Sequence, residues 1–187
     1  MESEGMNKYV YEWKYVMKKQ FLFSLVVLML SASAVEAQDY DDEIIINTLI
    51  AATLPENQES VEIRMEAVET LWHFFDPRSP RAARIEAAIM AASKDAEAKV
   101  RGMSAESLDV MTSRESLEVL VLLSADDDKE VSEIAIRSLM PRVPSSFAEL
   151  ADMIANGDSN ELRIAALRVI HSWTHSPKAP PSVRRSS

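Results

Sequence analysis

The fold is decided by Val100-Arg-Gly-Met-Ser-Ala-Glu-Ser-Leu108, because the pattern of this stretch recurs along the chain. An aliphatic residue is followed four positions later by a small residue, and four positions after that by another aliphatic residue, which is the spacing of one face of an α-helix. The pattern occurs without gaps in residues 63–71, 100–108, 131–139 and 162–170, whose starts lie 37, 31 and 31 residues apart. A period near thirty residues indicates a stacked array of helices.

Turn-forming residues separate the helices around these stretches. They include Pro55, Asp76-Pro77, Ser93-Lys-Asp95, Asp126-Asp-Asp128 and Gly157-Asp158. Capping boxes are predicted for Ser146 with Glu149 and for Asp158 with Glu161. No stretch alternates between apolar and polar residues with period two, so no strand is predicted. The sequence therefore predicts an all-α protein, an α-solenoid of about four helix pairs preceded by a signal-peptide helix.

The repeats resemble the HEAT family, and in particular its short repeats of the phycobilisome-lyase type. The shared signature is an aspartate in the loop between two helices, then Val-Arg at the start of the second helix. It is present as Asp95 with Val100-Arg101 and as Asp126 with Val131, and in part as Ile63-Arg64 and Leu162-Arg163. The resemblance implies an architecture of helix pairs, and it does not by itself imply an activity.

The resemblance also implies a ladder of polar contacts between adjacent repeats, made by the loop aspartates and the helix arginines. The residues expected to form this structural ladder are Asp95, Arg101, Asp126 and Arg163. Ser132 replaces the arginine in the third repeat, and the first repeat has no loop aspartate. These gaps predict irregular spacing in the stack.

Composition and charge narrow the classes of partner and of chemistry. The chain of 187 residues has three glycines, 47% hydrophobic residues and a formal net charge of −10, which favour a helical globular protein. An acidic surface repels a phosphate backbone, so no nucleic-acid partner is expected. The absence of cysteine excludes disulfides, thiolate metal sites and a cysteine nucleophile.

The N-terminal residues have the order of a secretory signal. Lys18-Lys19 precede the apolar run Phe21–Leu30, and small residues follow up to Ala37, after which signal peptidase would cut. Export to the periplasm is therefore predicted. The alternative is an uncut anchor in the inner membrane through residues 21–34, although this segment is shorter than the roughly 20 apolar residues of a membrane span.

Four segments follow from these features. Residues 1–16 are acidic and aromatic and read as an over-extended start, since Met17 opens a signal of ordinary form. Residues 17–37 are the predicted signal peptide, and residues 38–176 are the predicted HEAT-like repeat domain. Residues 177–187 contain prolines and basic residues with one large apolar side chain, which predicts a disordered tail.

Two surfaces are candidates for binding a protein partner. Glu62, Glu66 and Glu69, with His73, follow one face of the second predicted helix and would suit a basic segment, although such a stripe is more often a solvated face. Ile164, Leu167 and His171 form a second apolar side of the last helix. No fifth repeat follows to cover them. Contact with a partner or with a second copy of the chain is therefore predicted there.

Candidate catalytic and metal chemistry is sparse. His171 and His175 are four residues apart on the last helix, a spacing that suits two metal ligands, but no acidic third ligand lies nearby in sequence. A histidine near a helix C-terminus is also favoured by the helix dipole alone. No catalytic residue, metal site or cofactor is therefore predicted.

The leading functional hypothesis is an exported, non-enzymatic scaffold or adaptor that binds another protein. The rival is an accessory of an enzyme, of the lyase-associated HEAT type, or a metal-dependent activity that uses His171 and His175.

Overall fold

The computed structural model describes residues 35–176, which form eight α-helices and no strand. The helices are α1 Val35–Thr53, α2 Val61–His73, α3 Ala82–Ala92, α4 Ala98–Ser107, α5 Arg114–Leu123, α6 Lys129–Leu139, α7 Phe147–Asn156 and α8 Asn160–Thr174. Short 3-10 turns occupy Pro55–Asn57 and Leu108–Val110. The prediction of an all-α fold is confirmed, and the helices pack in a solenoid-like arrangement.

The chain divides into two compact units, Met1–Ile45 and Ile46–Ser187. The described part of the first unit is the beginning of α1. The second unit contains the end of α1 and all the other helices, and the following description concerns this unit. The predicted tail, the over-extended start and the signal peptide lie outside the described residues, except for residues 35–37, which begin α1.

Serine hydroxyls cap three of the helices. Ser60, Ser113 and Ser159 accept hydrogen bonds from backbone N–H groups in the first turns of α2, α5 and α8. The two predicted capping boxes are wrong. Ser146 makes no capping hydrogen bond, because its backbone is not in the extended conformation that a cap requires. Ser159, whose backbone is extended, replaces Asp158 as the cap of α8.

The small residues of the repeat pattern lie in the core. Ala67, Ser104, Ala135 and Ala166 are all buried, and Ser104 donates a hydrogen bond from its hydroxyl to the carbonyl of Ile89. A small side chain lets two helix backbones approach closely, and the large aliphatic residues then fill the space around the contact. One continuous cluster of buried apolar side chains connects the repeats from Ile46 to Trp173.

The stack is regular from α2, the second helix of the first repeat, through α4 to α6, the second helix of the third repeat. It is irregular after α6. α4 packs directly on α2, and α6 packs directly on α4. α8 would be expected to pack on α6 in the same way. Instead it packs chiefly on α5 and on its own partner α7, and its contact with α6 is slight. The last helix pair is therefore displaced from the line of the stack.

Among residues 35–176, no helix combines the length and the apolarity that a membrane span requires.

Candidate functional site

Two arginine–aspartate pairs join the regular part of the stack. Arg64 in α2 donates from Nε to Asp95 Oδ2 at 2.8 Å and from Nη2 to Asp95 Oδ1 at 3.0 Å. Arg101 in α4 makes the same two-fold contact with Asp126, with both distances at 2.8 Å. Each pair connects the second helix of one repeat to the loop of the next repeat. A bidentate guanidinium–carboxylate contact fixes both separation and orientation.

Each of these aspartates also organises its own loop. Asp95 Oδ1 accepts a hydrogen bond from the backbone N–H of Glu97, and Asp126 Oδ1 accepts one from the backbone N–H of Asp128. Arg101 in turn donates to the backbone carbonyls of Asp95 and Ala96. One carboxylate thus holds the preceding helix and the turn that leads into the next helix. These contacts give the two pairs a structural role, because each joins a helix to the loop of the next repeat.

The ion pairs keep both aspartates charged. Burial raises the pKa of Asp95, but hydrogen bonds from Arg64 and from the backbone of Glu97 outweigh it, and the pKa lies below its usual value. Hydrogen bonds from Arg101 lower the pKa of Asp126 against the opposing effect of burial. The Asp95 side chain is only 1% exposed, so its charge depends on Arg64.

The ladder ends after its second pair, because the next two equivalent positions hold neither an arginine nor an aspartate. Ser132 takes the place of the arginine in α6 and donates to the carbonyl of Ser124 at 2.8 Å. Gly157 stands at the position of the loop aspartate in the last repeat. Arg163 lies outside the ladder, because it donates to the carbonyl of Ile154 within its own helix pair. Arg64 belongs to the ladder although its own loop lacks an aspartate. It pairs with Asp95, which lies in the loop of the next repeat.

An open groove lies between α6 and α8, where the displacement of the last pair separates these two helices. Its volume is about 520 Å³. Seven residues line it: Ser124, Ile136, Ile164, Leu167, Arg168, His171 and Ser172. All three residues predicted on the second side of the last helix are among them. The groove therefore unites that side with Ile136 of the preceding repeat.

The walls of the groove are aliphatic and accessible. Ile164 is 49% exposed and Leu167 is 51% exposed, the largest exposed fractions among the large apolar side chains of the described residues. Ile136 is half-buried on the opposite wall. Ile136 occupies the same repeat position as Leu167, thirty-one residues earlier, and this equivalence is the signal from which the sequence could have placed it in the site.

The lining of the groove differs in charge from the chain as a whole. Aspartate and glutamate outnumber lysine and arginine by 30 to 20 in the chain, yet no carboxylate lines the groove. Arg168 supplies a positive charge at its edge, and it makes no ion pair with any residue between 42 and 176. The imidazole of His171 and the hydroxyls of Ser124 and Ser172 supply further polar groups. The groove suits an occupant with both aliphatic and acidic side chains.

No family model, curated protein or solved structure matches the chain.

The acidic stripe lies on α2, away from the groove. Glu62, Glu66 and Glu69 are all exposed, and Ile63 beside them is 39% exposed. Hydrogen bonds from its own backbone N–H and from Ser60 lower the pKa of Glu62, so its carboxylate is charged at neutral pH. The structure does not bring these residues together with Ile164, Leu167 or His171 in one molecule.

His171 and His175 are neighbours at the end of α8, but they would supply only two ligands to a metal ion. Their ring centroids are 4.3 Å apart, and Nδ1 of His175 lies 2.8 Å from the carbonyl oxygen of His171. That hydrogen bond leaves one nitrogen of His175 for a ligand. No cluster of three or more histidine, aspartate or glutamate side chains suited to a metal ion occurs in the described part of the chain.

Proposed function

We propose that this chain is an exported, non-enzymatic HEAT-like repeat protein that binds another protein through the groove between α6 and α8. The single observation that carries the proposal is the accessibility of Ile164 and Leu167 in a groove of about 520 Å³. Protein interfaces have apolar centres bordered by polar groups, and the groove has this composition. Export is supported by Lys18-Lys19 and the apolar run that follows them.

The shape of the groove supports helix binding over small-molecule catalysis. The α6 wall, with Ile136, is a side that a regular stack would place against the next second helix, so it already has the character of a helix-packing surface. Its polar groups are Ser124 at the end of α5 and Arg168, His171 and Ser172 on α8, and they include no carboxylate to pair with the histidine in acid–base chemistry. The proposed activity is therefore recognition.

The test is a pull-down from envelope extract of the producing cell. The bait is the purified protein, compared with a Leu167→Glu variant and with a Leu122→Glu control. Leu122 is 43% exposed on α5 and does not line the groove, so it matches Leu167 in chemistry and accessibility. We expect the wild type and the Leu122→Glu control to retain the same protein, and the Leu167→Glu variant to lose it. Retention by all three baits would refute the groove as the binding site.

Export is tested separately by N-terminal sequencing of the protein recovered from the envelope. We expect the mature chain to begin at Gln38. A chain that still contains Phe21 would identify a membrane-anchored protein and would contradict cleavage, without bearing on the groove.

A further inference from the structure

The contacts between α4 and α6 show which sides of the second helices meet in the stack. A Cβ atom added to Gly102 of α4 would lie 3.2 Å from Cδ1 of Ile134 and 3.9 Å from Cγ2 of Val131. Position 102 is therefore on the forward side of its helix, which faces the next repeat. Positions 131 and 134 are on the backward side of α6, which faces the repeat before it.

The repeat spacing identifies the residues that occupy the same two sides on the helices at the ends of the stack. On α8, the forward position equivalent to Gly102 is Ile164, which no described helix covers. On α2, the backward positions equivalent to Val131 and Ile134 are Ile63 and Glu66. Within residues 46–176 the stack thus leaves the forward side of α8 open, together with Ile136 on the forward side of α6, and it leaves the backward side of α2 unmatched. Ile63 and Ile164 are 39% and 49% exposed.

The two unmatched sides are complementary in charge. The backward side of α2 carries Glu66, with Glu62 and Glu69 in the adjoining turns, and all three are exposed. The forward side of α8 borders a groove that contains Arg168 and no carboxylate. Glu66 and Arg168 each make no ion pair with any residue between 42 and 176. At the equivalent position in later repeats, Glu66 is replaced by Met103, Ile134 and Ala165, which are half-buried or buried.

We propose that α2 of one copy of the chain docks into the groove of a second copy, so that the stack continues head to tail from one molecule to the next. Ile63 then packs against Ile164 and Leu167, and Glu66 lies within one helical turn of Arg168. This inference rests on the proposed function, because it uses the same groove and names its occupant as a second copy of this chain.

Other occupants fit the groove less well. A two-fold symmetric dimer through α8 would bring Arg168 of both copies into one interface, and like charges in an interface are unfavourable. Residues 177–187 contain Lys178, Arg184 and Arg185 and no acidic residue, so the same repulsion applies to them. The acidic, partly apolar side of α2 has the charge that the groove lacks.

The test is light scattering of the purified full chain, in the form that the producing cell retains, over a wide range of concentration at low and at high salt. Because a head-to-tail contact does not close on itself, we expect the weight-average mass to rise beyond that of a dimer without a plateau, and to fall with added salt. The single variants Arg168→Glu and Glu66→Arg should each weaken association by at least about tenfold. The double variant, and an equimolar mixture of the two single variants, should recover it.

Glu106→Arg is the matched control, since Glu106 is an exposed glutamate on α4, whose two sides are already covered. Its association should equal that of the wild type, and circular dichroism should show that all the variants stay folded. A mass that stays at one chain, or that levels off at two chains, would overturn the inference. So would charge reversals that change nothing. None of these results would exclude a different protein as the occupant of the groove. The pull-down with Leu167→Glu tests that proposal separately.

Discussion

The guanidinium of Arg64 holds both carboxylate oxygens of Asp95, thirty-one residues later in the chain, at 2.8 and 3.0 Å. Arg64 lies in the second helix of the first repeat and Asp95 in the loop of the second repeat, so the contact spans one step of the stack. The same contact recurs between Arg101 and Asp126 at the next step. It does not recur at the third step, where Ser132 and Gly157 stand, and there the last helix pair leaves the line of the stack.

The first prediction concerns the energetic weight of the two ion pairs. Asp95→Asn should lower the free energy of unfolding by about 3 kcal/mol, because it leaves Arg64 without its charge partner in a site where the Asp95 side chain is 1% exposed. Asp126→Asn should cost about 1–2 kcal/mol, because both partners there have more contact with water. Urea unfolding measures both values. Asp127→Asn, at an exposed neighbouring position, is the control and should change stability by less than about 0.5 kcal/mol. Equal costs for Asp95→Asn and Asp127→Asn would contradict the prediction.

The second prediction concerns acid. Asp95 and Asp126 have folded-state pKa values below their usual value of 3.8, so each contributes stability that is fully present well above that pH. The contribution is lost as pH falls from the usual value through the lowered folded-state value. The free energy of unfolding should therefore fall below about pH 4, and it should fall less steeply in Asp95→Asn. Urea titrations at a series of acidic pH values measure the slope, and parallel slopes in the two proteins would exclude a role for Asp95.

The third prediction concerns the close approach of α4 and α6 at Gly102. Gly102→Ala should be nearly neutral, because the helix gains about 1 kcal/mol over glycine while Cδ1 of Ile134, 3.2 Å from the new Cβ, has to move. Gly102→Leu should destabilise the protein by about 1–3 kcal/mol, since no space exists for the larger side chain. Thermal and urea unfolding distinguish the two. If leucine were tolerated as well as alanine, the two helices would not be in contact at this position.

The fourth prediction concerns metal. With two imidazoles and no third ligand in a suitable cluster, His171 and His175 should not hold a metal ion at micromolar concentration. The melting temperature should be the same with a chelator and with added zinc. A zinc-dependent rise that is abolished in His175→Gln would contradict this and would favour the metal-dependent rival function.

Part of the candidate site follows from the repeat pattern. The pattern identifies Ile164 and Leu167 as apolar residues on a second side of the last predicted helix, and both are half exposed in the structure. The opposite wall does not follow from it. Ile136 belongs to a side of α6 that an ordinary fourth repeat would bury, and only the displacement of α8 leaves it facing open space.

For a related reason, the signature of a loop aspartate followed by Val-Arg identifies only some of the residues that form the ladder. It marks an aspartate and an arginine within one repeat, but the contact joins the arginine of one repeat to the aspartate of the next. Arg64 is therefore paired although its own loop lacks an aspartate, and Arg163 donates to the backbone carbonyl of Ile154 instead of to a carboxylate. Repeat order in three dimensions, rather than presence of the motif, determines which residues pair.

The sequence by itself determined the helical fold, the repeat period and the burial of Ala67, Ser104, Ala135 and Ala166, because these depend on the fixed geometry of the α-helix and on side-chain size. Only the tertiary structure decided that α8 packs on α5 rather than on α6, and hence that a groove opens between α6 and α8. That choice depends on contacts between residues far apart in the chain. Without an arginine–aspartate pair to fix the last step, side-chain packing across several helices sets the position of the final pair, and no local pattern encodes it.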